Sequence, residues 1–336
     1  MSNKINYTPP FVVSADTINL IAEISAQIER YAIRLEQADG LRLRKANRIK
    51  TIHSSLAIEG NRLSHGQVED IINGKNVVAP IKEIMEVKNA ISTYEMFKSL
   101  NPFSMKDLLK AHGVMMKSLV DNPGHFRTGN VGVFEQDRCI HLAPPPHLVH
   151  GLMTDLFSWL KNAKDHLLIR SCVFHYEFEF IHPFADGNGR MGRLWQSLIL
   201  GNLHPLFEYL PIENMVYAKQ EEYYDAITLS TANNECSPFI MFMLKEILNA
   251  LKTHQGEPTE EDGVKNGVKD GVKELTERQS IIIKQIKNNP SISAKELSQM
   301  TGIAYRTIQR DMALLQSRGI IKREGGRRLG YWKTNI

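Results

Sequence analysis

Cysteine is scarce in this chain and long apolar runs are missing. The 336 residues include 3 cysteines, Cys139, Cys172 and Cys236, which stand far apart with no CxxC pair. That pattern argues against a disulfide framework or a structural zinc site and suits a reducing compartment. No stretch approaches the roughly 20 consecutive apolar residues that span a bilayer. The opening MSNKINYTPPF also lacks the apolar core of a secretory leader. A cytoplasmic protein with no membrane partner is expected.

A strong net charge is absent as well, with 41 Lys and Arg against 37 Asp and Glu, or +4. The near balance hides an asymmetry. Residues 276–336 hold 12 Lys and Arg against 4 Asp and Glu, which leaves 29 basic and 33 acidic residues for the rest. A basic tail on a mildly acidic body implies separate partners for the two parts. Between them DGVKNGVKDGVKE, Asp262 to Glu274, repeats Gly-Val-Lys with little to bury, so a flexible linker is expected.

Most of the chain before the linker has helical periodicity. SADTINLIAEISAQIERYAIRLEQA begins with a Ser14 or Asp16 cap and sets Ile18, Ile21, Ile24, Ile28 and Ala32 on one face. IMEVKNAISTYEMFKSL, SMKDLLKAHGVMMKSLV and SPFIMFMLKEILNALK behave alike. GHFRTGNVGVFEQDRCIHLAPPP, from Gly124 to Pro146, differs: its glycines, prolines and apolar Val131, Val133, Cys139 and Ile140 predict two short strands around EQDR. After the linker, TERQSIIIKQIKNN reads as an amphipathic helix. A helix, a turn at Gly302, a second helix and a basic hairpin around Gly325-Gly326 follow. That is a winged-helix order, with Thr307, Gln309 and Arg310 near the start of the second helix, where DNA would be met. A protein-interaction module is the alternative.

The chemistry concentrates in IHPFADGNGRMGR, Ile181 to Arg193. Paired glycines around Asn188 let successive N–H groups converge into an anion nest. The residues after them have helical periodicity, so the nest opens a helix whose dipole favours phosphate. Arg190 and Arg193 are three apart and can reach one phosphate chain. Asp186 stands where a carboxylate would hold Mg²⁺ against phosphate oxygens. His182, with an ordinary pKa of about 6.5, suits proton abstraction near neutral pH. GNGRMG also fits the dinucleotide fingerprint GxGxxG, with Glu208 near the place of a ribose-binding acid. The IHP interruption and the missing βαβ pattern speak against that reading.

HPFADGNGRMGR resembles, at every defined position, the HPFx[DE]GNGRxxR signature of the Fic family. PPF near Tyr7–Phe11, GHFR at Gly124–Arg127, the hairpin and the basic C-terminal part follow in the family's order. The resemblance implies a mainly α fold: a Fic-type helical domain with one small β-hairpin flap, plus a C-terminal winged-helix domain. It places an N-terminal helical region at 1–100, the catalytic domain at 101–252, the linker at 253–275 and the winged helix at 276–336. SCVFHYEFEFI becomes the helix before the catalytic loop, with Leu168, Cys172, His175, Phe178 and Ile181 as its stripe.

By the same resemblance His182 would deprotonate a Ser, Thr or Tyr hydroxyl of a target protein, which attacks the α-phosphate of ATP. Asp186 would hold Mg²⁺, Gly187, Asn188 and Gly189 would form the anion hole, and Arg190 and Arg193 would bind the outer phosphates. Phe184 would anchor the loop. The flap near Val131–Ile140 would clamp the target by strand addition. Kinase-like members carry a bulkier residue in place of Gly187, so glycine favours AMP transfer. Tyr223 and Tyr224 are candidates for the adenine pocket or, more commonly for helix-face aromatics, for the core. His141, His147 and His150 fit no metal spacing.

SSLAIEGNRLS, Ser54 to Ser64, raises a second question. Ser55 and Glu59 share a helix face, and Glu59 sits just before the Gly60-Asn61 stop signal. A carboxylate in the last turn opposes the dipole at about 0.3–1 kcal/mol. SLAIEG resembles the [S/T]xxxE[G/N] inhibitory motif of self-restrained Fic proteins, in which the glutamate pairs with the second signature arginine, here Arg193. The expectation is an autoinhibited protein adenylyltransferase using ATP and Mg²⁺. The alternatives are a DNA-binding regulator that senses nucleotide and an enzyme that removes AMP. Restrained members often pair, so a homodimer is compatible, although no stretch forces it.

Overall fold

The computed structural model describes residues 7–37, 40–135, 138–253, 277–301, 308, 311–312, 315–316, 320–324 and 331–334. The chain divides into two compact units, Met1–Glu257 and Pro258–Ile336. The 1–100 region therefore shares one unit, and one hydrophobic core, with the segment that carries the signature. Asp262–Glu274 lies outside the described residues.

The first unit is helical. α1 (Ala15–Gln37), α2 (Gly40–Ile58), α3 (His65–Ile72), α4 (Ile81–Glu95) and α5 (Met105–Met115) precede the hairpin. Its strands β1 (Gly132–Glu135) and β2 (Arg138–Leu142) pair antiparallel, from Gly132 opposite Leu142 to Glu135 opposite Arg138, with a register irregularity between Val133 and Phe134. α6 (Pro146–Asn162), α7 (Leu167–Ile181), α8 (Asn188–Leu203), α9 (Ile212–Ala218), α10 (Gln220–Asn233) and α11 (Ser237–Thr253) follow. No helix among the described residues is long and apolar enough to cross a membrane.

The centre is the α7–α8 pair. α7 packs against α6, α8 and α11, and every residue from Ser171 to Phe178 is buried. A helix buried all round has no polar face to orient it, which is why its stripe of Leu168, Cys172, His175, Phe178 and Ile181 is only part of its contact surface. α8 is equally enclosed from Arg190 to Leu200. Trp195, fully buried, packs on Phe157 and donates its indole N–H to Pro102 O at 2.9 Å. The PPF segment straps this core: Cys236 N donates to Pro10 O at 2.9 Å, and the Tyr7 hydroxyl donates to Glu177 Oε2 at 2.6 Å.

The face expected for α1 is rotated. Ile18 is 58% exposed, whereas Thr17, Ile24, Gln27, Ile28 and Tyr31 are buried. The helix lies along α11, and Thr17 takes the first-turn contact by donating to Met241 Sδ at 3.3 Å, which turns Ile18 outward. Ser14 is the cap, accepting from Thr17 N at 3.2 Å.

In the second unit α12 (Glu277–Asn288) and α13 (Ala294–Thr301) precede an antiparallel pair, β3 (Ile321–Glu324) and β4 (Tyr331–Thr334), with Ile321 opposite Thr334. Ile282, Ile283, Ile286 and Leu297 form its core with Ile308, Met312 and Leu315. The four- and three-residue steps of the last three suit one face of a helix. Gly302, Thr307, Gln309, Arg310 and the Gly325-Gly326 turn lie outside the described residues.

Because Trp195 joins both sides of the core, Trp195→Ala is expected to cost about 3–5 kcal/mol, read as a lower urea midpoint.

Candidate active site

The turn between α7 and α8 is built by its own backbone. His182 caps α7 in the left-handed conformation, φ 49°, ψ 61°, and its N–H still donates to Phe178 O at 2.9 Å. A non-glycine residue with positive φ is uncommon and needs surroundings that hold it. Arg127 supplies them. Its Nε donates to His182 O at 2.7 Å, its two Nη groups reach Gly129 O and Pro144 O, and its own N–H donates to Pro183 O. GHFR thus fixes the backbone of the signature from 55 residues away.

The rest of the turn is locked from inside. Asn188 accepts from Phe184 N and donates to Phe184 O, both at 2.9 Å, and is 2% exposed. Its side chain is therefore spent on the loop, and any anion contact by Asn188 falls to its backbone N–H. Phe184 is fully buried and stacks on His112, centroids 3.7 Å apart. His112 accepts from Gly124 N on Nδ1 at 2.8 Å, so Nε2 carries the hydrogen that reaches Asp186 O at 3.1 Å. Burial pushes the His112 pKa down to about 4, consistent with that neutral ring. Gly187, φ 85°, caps α8, and a Cβ there would lie 2.7 Å from Met116 Sδ. The first N–H groups of an α-helix have no intrahelical acceptor and face an incoming anion.

Both arginines are already engaged. Arg193, 3% exposed, donates from Nη2 to Glu59 Oε1 at 2.7 Å and to Ser55 O at 2.9 Å. Its Nε reaches Ser55 Oγ at 3.4 Å. Burial works against the Arg193 charge, but the Glu59 carboxylate together with Tyr223 and Glu179 more than offsets it and holds the pKa above the ordinary value. A Cβ on Gly189 would meet Glu59 Oε1 at 2.4 Å, so the pair occupies space that glycine leaves. α2 ends at Ile58, one residue earlier than expected, and Glu59 stands just beyond it in a turn closed by Gly60 at φ 89°. Arg190 lies between Asp186 Oδ1, 3.4 Å from Nη2, and Glu86 Oε1, 3.8 Å from Nη1. Glu86 in turn accepts from Asn61 Nδ2 at 2.8 Å.

The structure thus gathers His182, Asp186, Gly187–Gly189, Arg190, Arg193, Ser55 and Glu59 in one place. Tyr223 does not line it openly: it is 2% exposed, and its hydroxyl pairs with His175 Nε2 at 3.0 Å. Tyr224 is partly buried in the same core. His147 and His150 are exposed, and the His141 side chain lies outside the described residues. His112, Glu86 and Glu179 carry no signal in the sequence. Each lies far along the chain from its partner or outside any motif, and a lone polar residue in a helical stripe gives no signal.

Residues 102–200 match the Fic/DOC family and residues 278–332 an HTH domain. A Fic family protein from Desulfovibrio desulfuricans has a crystal structure similar to this one, with a TM-score of 0.71 and 38% identity over 98% of each chain. The chain belongs to the Fic family. Fic-1 of Caenorhabditis elegans shares the fold, with a TM-score of 0.57 and 22% identity over 73% of each chain. Among curated Fic relatives, protein adenylyltransferase fic-1 of Caenorhabditis briggsae is 26% identical over 61% of this chain and 42% of its own length. A probable protein adenylyltransferase of Aquifex aeolicus is 28% identical over 52% of each. The chain spans about two fifths of the length of the nematode relatives that it matches.

The depressed pKa of His112 makes its share of stability pH-dependent. The folded ring resists a proton that the unfolded chain accepts, so that share is present above about pH 6.5 and lost as the pH falls toward about 4. The gap in urea stability between wild type and His112→Phe is expected to narrow over that window.

Proposed function

We propose that this Fic protein is a self-restrained protein adenylyltransferase, moving AMP from ATP to a Ser, Thr or Tyr hydroxyl of a target protein or of itself. The observation that carries the reading is a solvent-reachable base beside a helix N-terminus in a loop whose other polar groups hold it rigid. The His182 side chain is 20% exposed, four residues before Asp186 and six before the start of α8.

In the proposed step His182 takes the hydroxyl proton, the oxygen bonds to the α-phosphorus, and pyrophosphate leaves with the bonding electron pair. The α8 N-terminus and the guanidiniums of Arg190 and Arg193 neutralise the phosphates, and most of the rate comes from such preorganised charge. Asp186 fits a divalent ion that arrives with the nucleotide rather than a resident metal. Its side chain is 51% exposed, and no group of three or more His, Cys, Asp or Glu side chains among the described residues could hold a metal. Mg²⁺ commonly takes one or two carboxylates and completes its shell with phosphate and water; it would supply charge neutralisation. The hairpin from Val131 to Ile140 offers strand edges for an extended target segment.

Self-restraint rests on Arg193. While Glu59 and Ser55 hold its guanidinium, an outer phosphate must displace a 2.7 Å charge-assisted bond to use it. We infer that the HTH domain binds DNA, supported by the family match and by the 12 basic against 4 acidic residues of 276–336.

Glu59→Gly is expected to raise AMP incorporation from labelled ATP at least tenfold, on the order of 1.4 kcal/mol of released restraint, seen as added AMP mass on the intact protein. Unchanged incorporation would remove the restraint. His182→Ala in that background should abolish transfer and keep ATP binding; retained transfer would exclude His182 as the base. Binding of duplex DNA by the full chain should weaken steeply as salt rises, and no binding at low salt would point to a protein partner.

A further inference from the structure

Glu179 is a buried carboxyl that the proposed reaction leaves unused. It lies one turn before His182 on α7, 12% exposed, and its Oε1 is buried with no hydrogen-bond partner among the described residues. An orphaned buried polar atom is costly and calls for an explanation. Two oxygens of Glu179 face Nδ1 of His182, the backbone O at 3.4 Å and Oε2 at 3.9 Å. On the other side Oε1 lies 3.9 Å from His175 Nε2.

The fold makes room for this carboxyl. A Cβ on Gly192 would sit 2.5 Å from Glu179 Oε1, with His175 and Phe178 close behind at 3.3 Å. Glycine inside a helix costs roughly 0.5–1 kcal/mol relative to alanine. That cost, in the middle of α8, leaves the space in which the carboxyl sits.

We propose that Glu179 is a positioning residue for His182: its carboxyl, 3.9 Å from Nδ1, reinforces the hydrogen bond that Nδ1 donates to the Glu179 backbone O and so leaves the Nε2 lone pair facing the target hydroxyl. The inference rests on the reading of His182 as the base. A neutral imidazole can take a proton only on the nitrogen that lacks one, so the partner of Nδ1 decides which nitrogen reacts. When Nε2 gains the hydroxyl proton, the imidazolium so formed lies against Glu179, and the hydroxyl oxygen is freed to bond to phosphorus. Burial pushes Glu179 up to about 8, while Arg193 on α8 pulls it down and Glu59 beyond α2 pushes it up. Among the described residues Tyr223 and Tyr224 on α10 also interact with it, as do His175 and His182.

The test uses the full chain carrying Glu59→Gly, alone and with Glu179→Met or Glu179→Gln. Methionine keeps the length and removes both carboxyl oxygens; glutamine keeps an acceptor. The His182 ring is read by ¹⁵N NMR, its signal assigned by loss in His182→Ala. The expected result is an Nδ1–H ring with Glu179 and with Gln, and a shift toward Nε2–H with Met. AMP transfer should then fall roughly 10- to 100-fold in kcat with Met, the range seen when a histidine loses its orienting partner. It should be largely kept by Gln, with ATP affinity unchanged in both. An Nε2–H ring with Glu179 in place, or the same tautomer in all three, overturns the proposal. So does a parallel loss of kcat and ATP affinity, which marks a purely structural role. Should Glu59→Gly transfer no AMP, the adenylyltransferase reading fails, while the tautomer still judges Glu179.

Discussion

A guanidinium that cannot reach water must find a carboxylate or a phosphate, and Arg193 is such a group. It is 3% exposed, on a helix enclosed along its length. Leaving a buried charge unpaired costs several kcal/mol, about 3–5 when a partner is removed. The architecture around it follows from that constraint. α2 must end where Ser55 in its last turn and Glu59 just beyond it can both reach Arg193, Gly189 must lack a side chain so that the pair can close, and Gly60 must turn the chain away. Whatever replaces Glu59 there must itself be anionic.

The second organising feature is a division of labour within the α7–α8 turn. Arg127, His112 and Asn188 use their polar atoms to hold backbone, and none is left over for a ligand. That expenditure keeps His182 in a left-handed cap and leaves the N-terminus of α8 facing outward. A turn held only by its own residues would have no reason to stay in so sparsely populated a conformation. Two of these holding groups, His112 and Arg127, come from α5 and the segment before the hairpin, so the rigidity of the site extends beyond the turn into the first unit.

A second layer lies behind the first. Glu213 accepts from Tyr94 at 3.0 Å and Ser197 at 3.3 Å, and burial pushes its pKa up to about 7. His175 sits between Gln196 Oε1 at 2.6 Å and the Tyr223 hydroxyl at 3.0 Å. These polar groups are admitted to a dense core because nearly all are hydrogen-bonded. Glu179 Oε1 and Glu213 Oε2 are each buried without such a partner among the described residues.

The chemistry-bearing loop, the hairpin, the mainly helical build and the basic C-terminal part are legible in the sequence, because each is written in contiguous residues. Paired glycines, period-two apolar residues and charge balance act over a few positions, so their signal survives without tertiary context. It also carried Ser55 and Glu59, through a short motif whose spacing is helical. Helix packing sets the rest: Thr17 rather than Ile18 faces α11, Asn188 turns inward, Glu86 stands against Arg190, and Arg127 clamps His182. Each of these depends on which helix packs on which, and packing is set by the summed burial of residues scattered along the chain. A lone glutamate in a helix reads as solvated surface until the fold encloses it, and Glu179 acquires its meaning only once Gly192 and His182 are beside it.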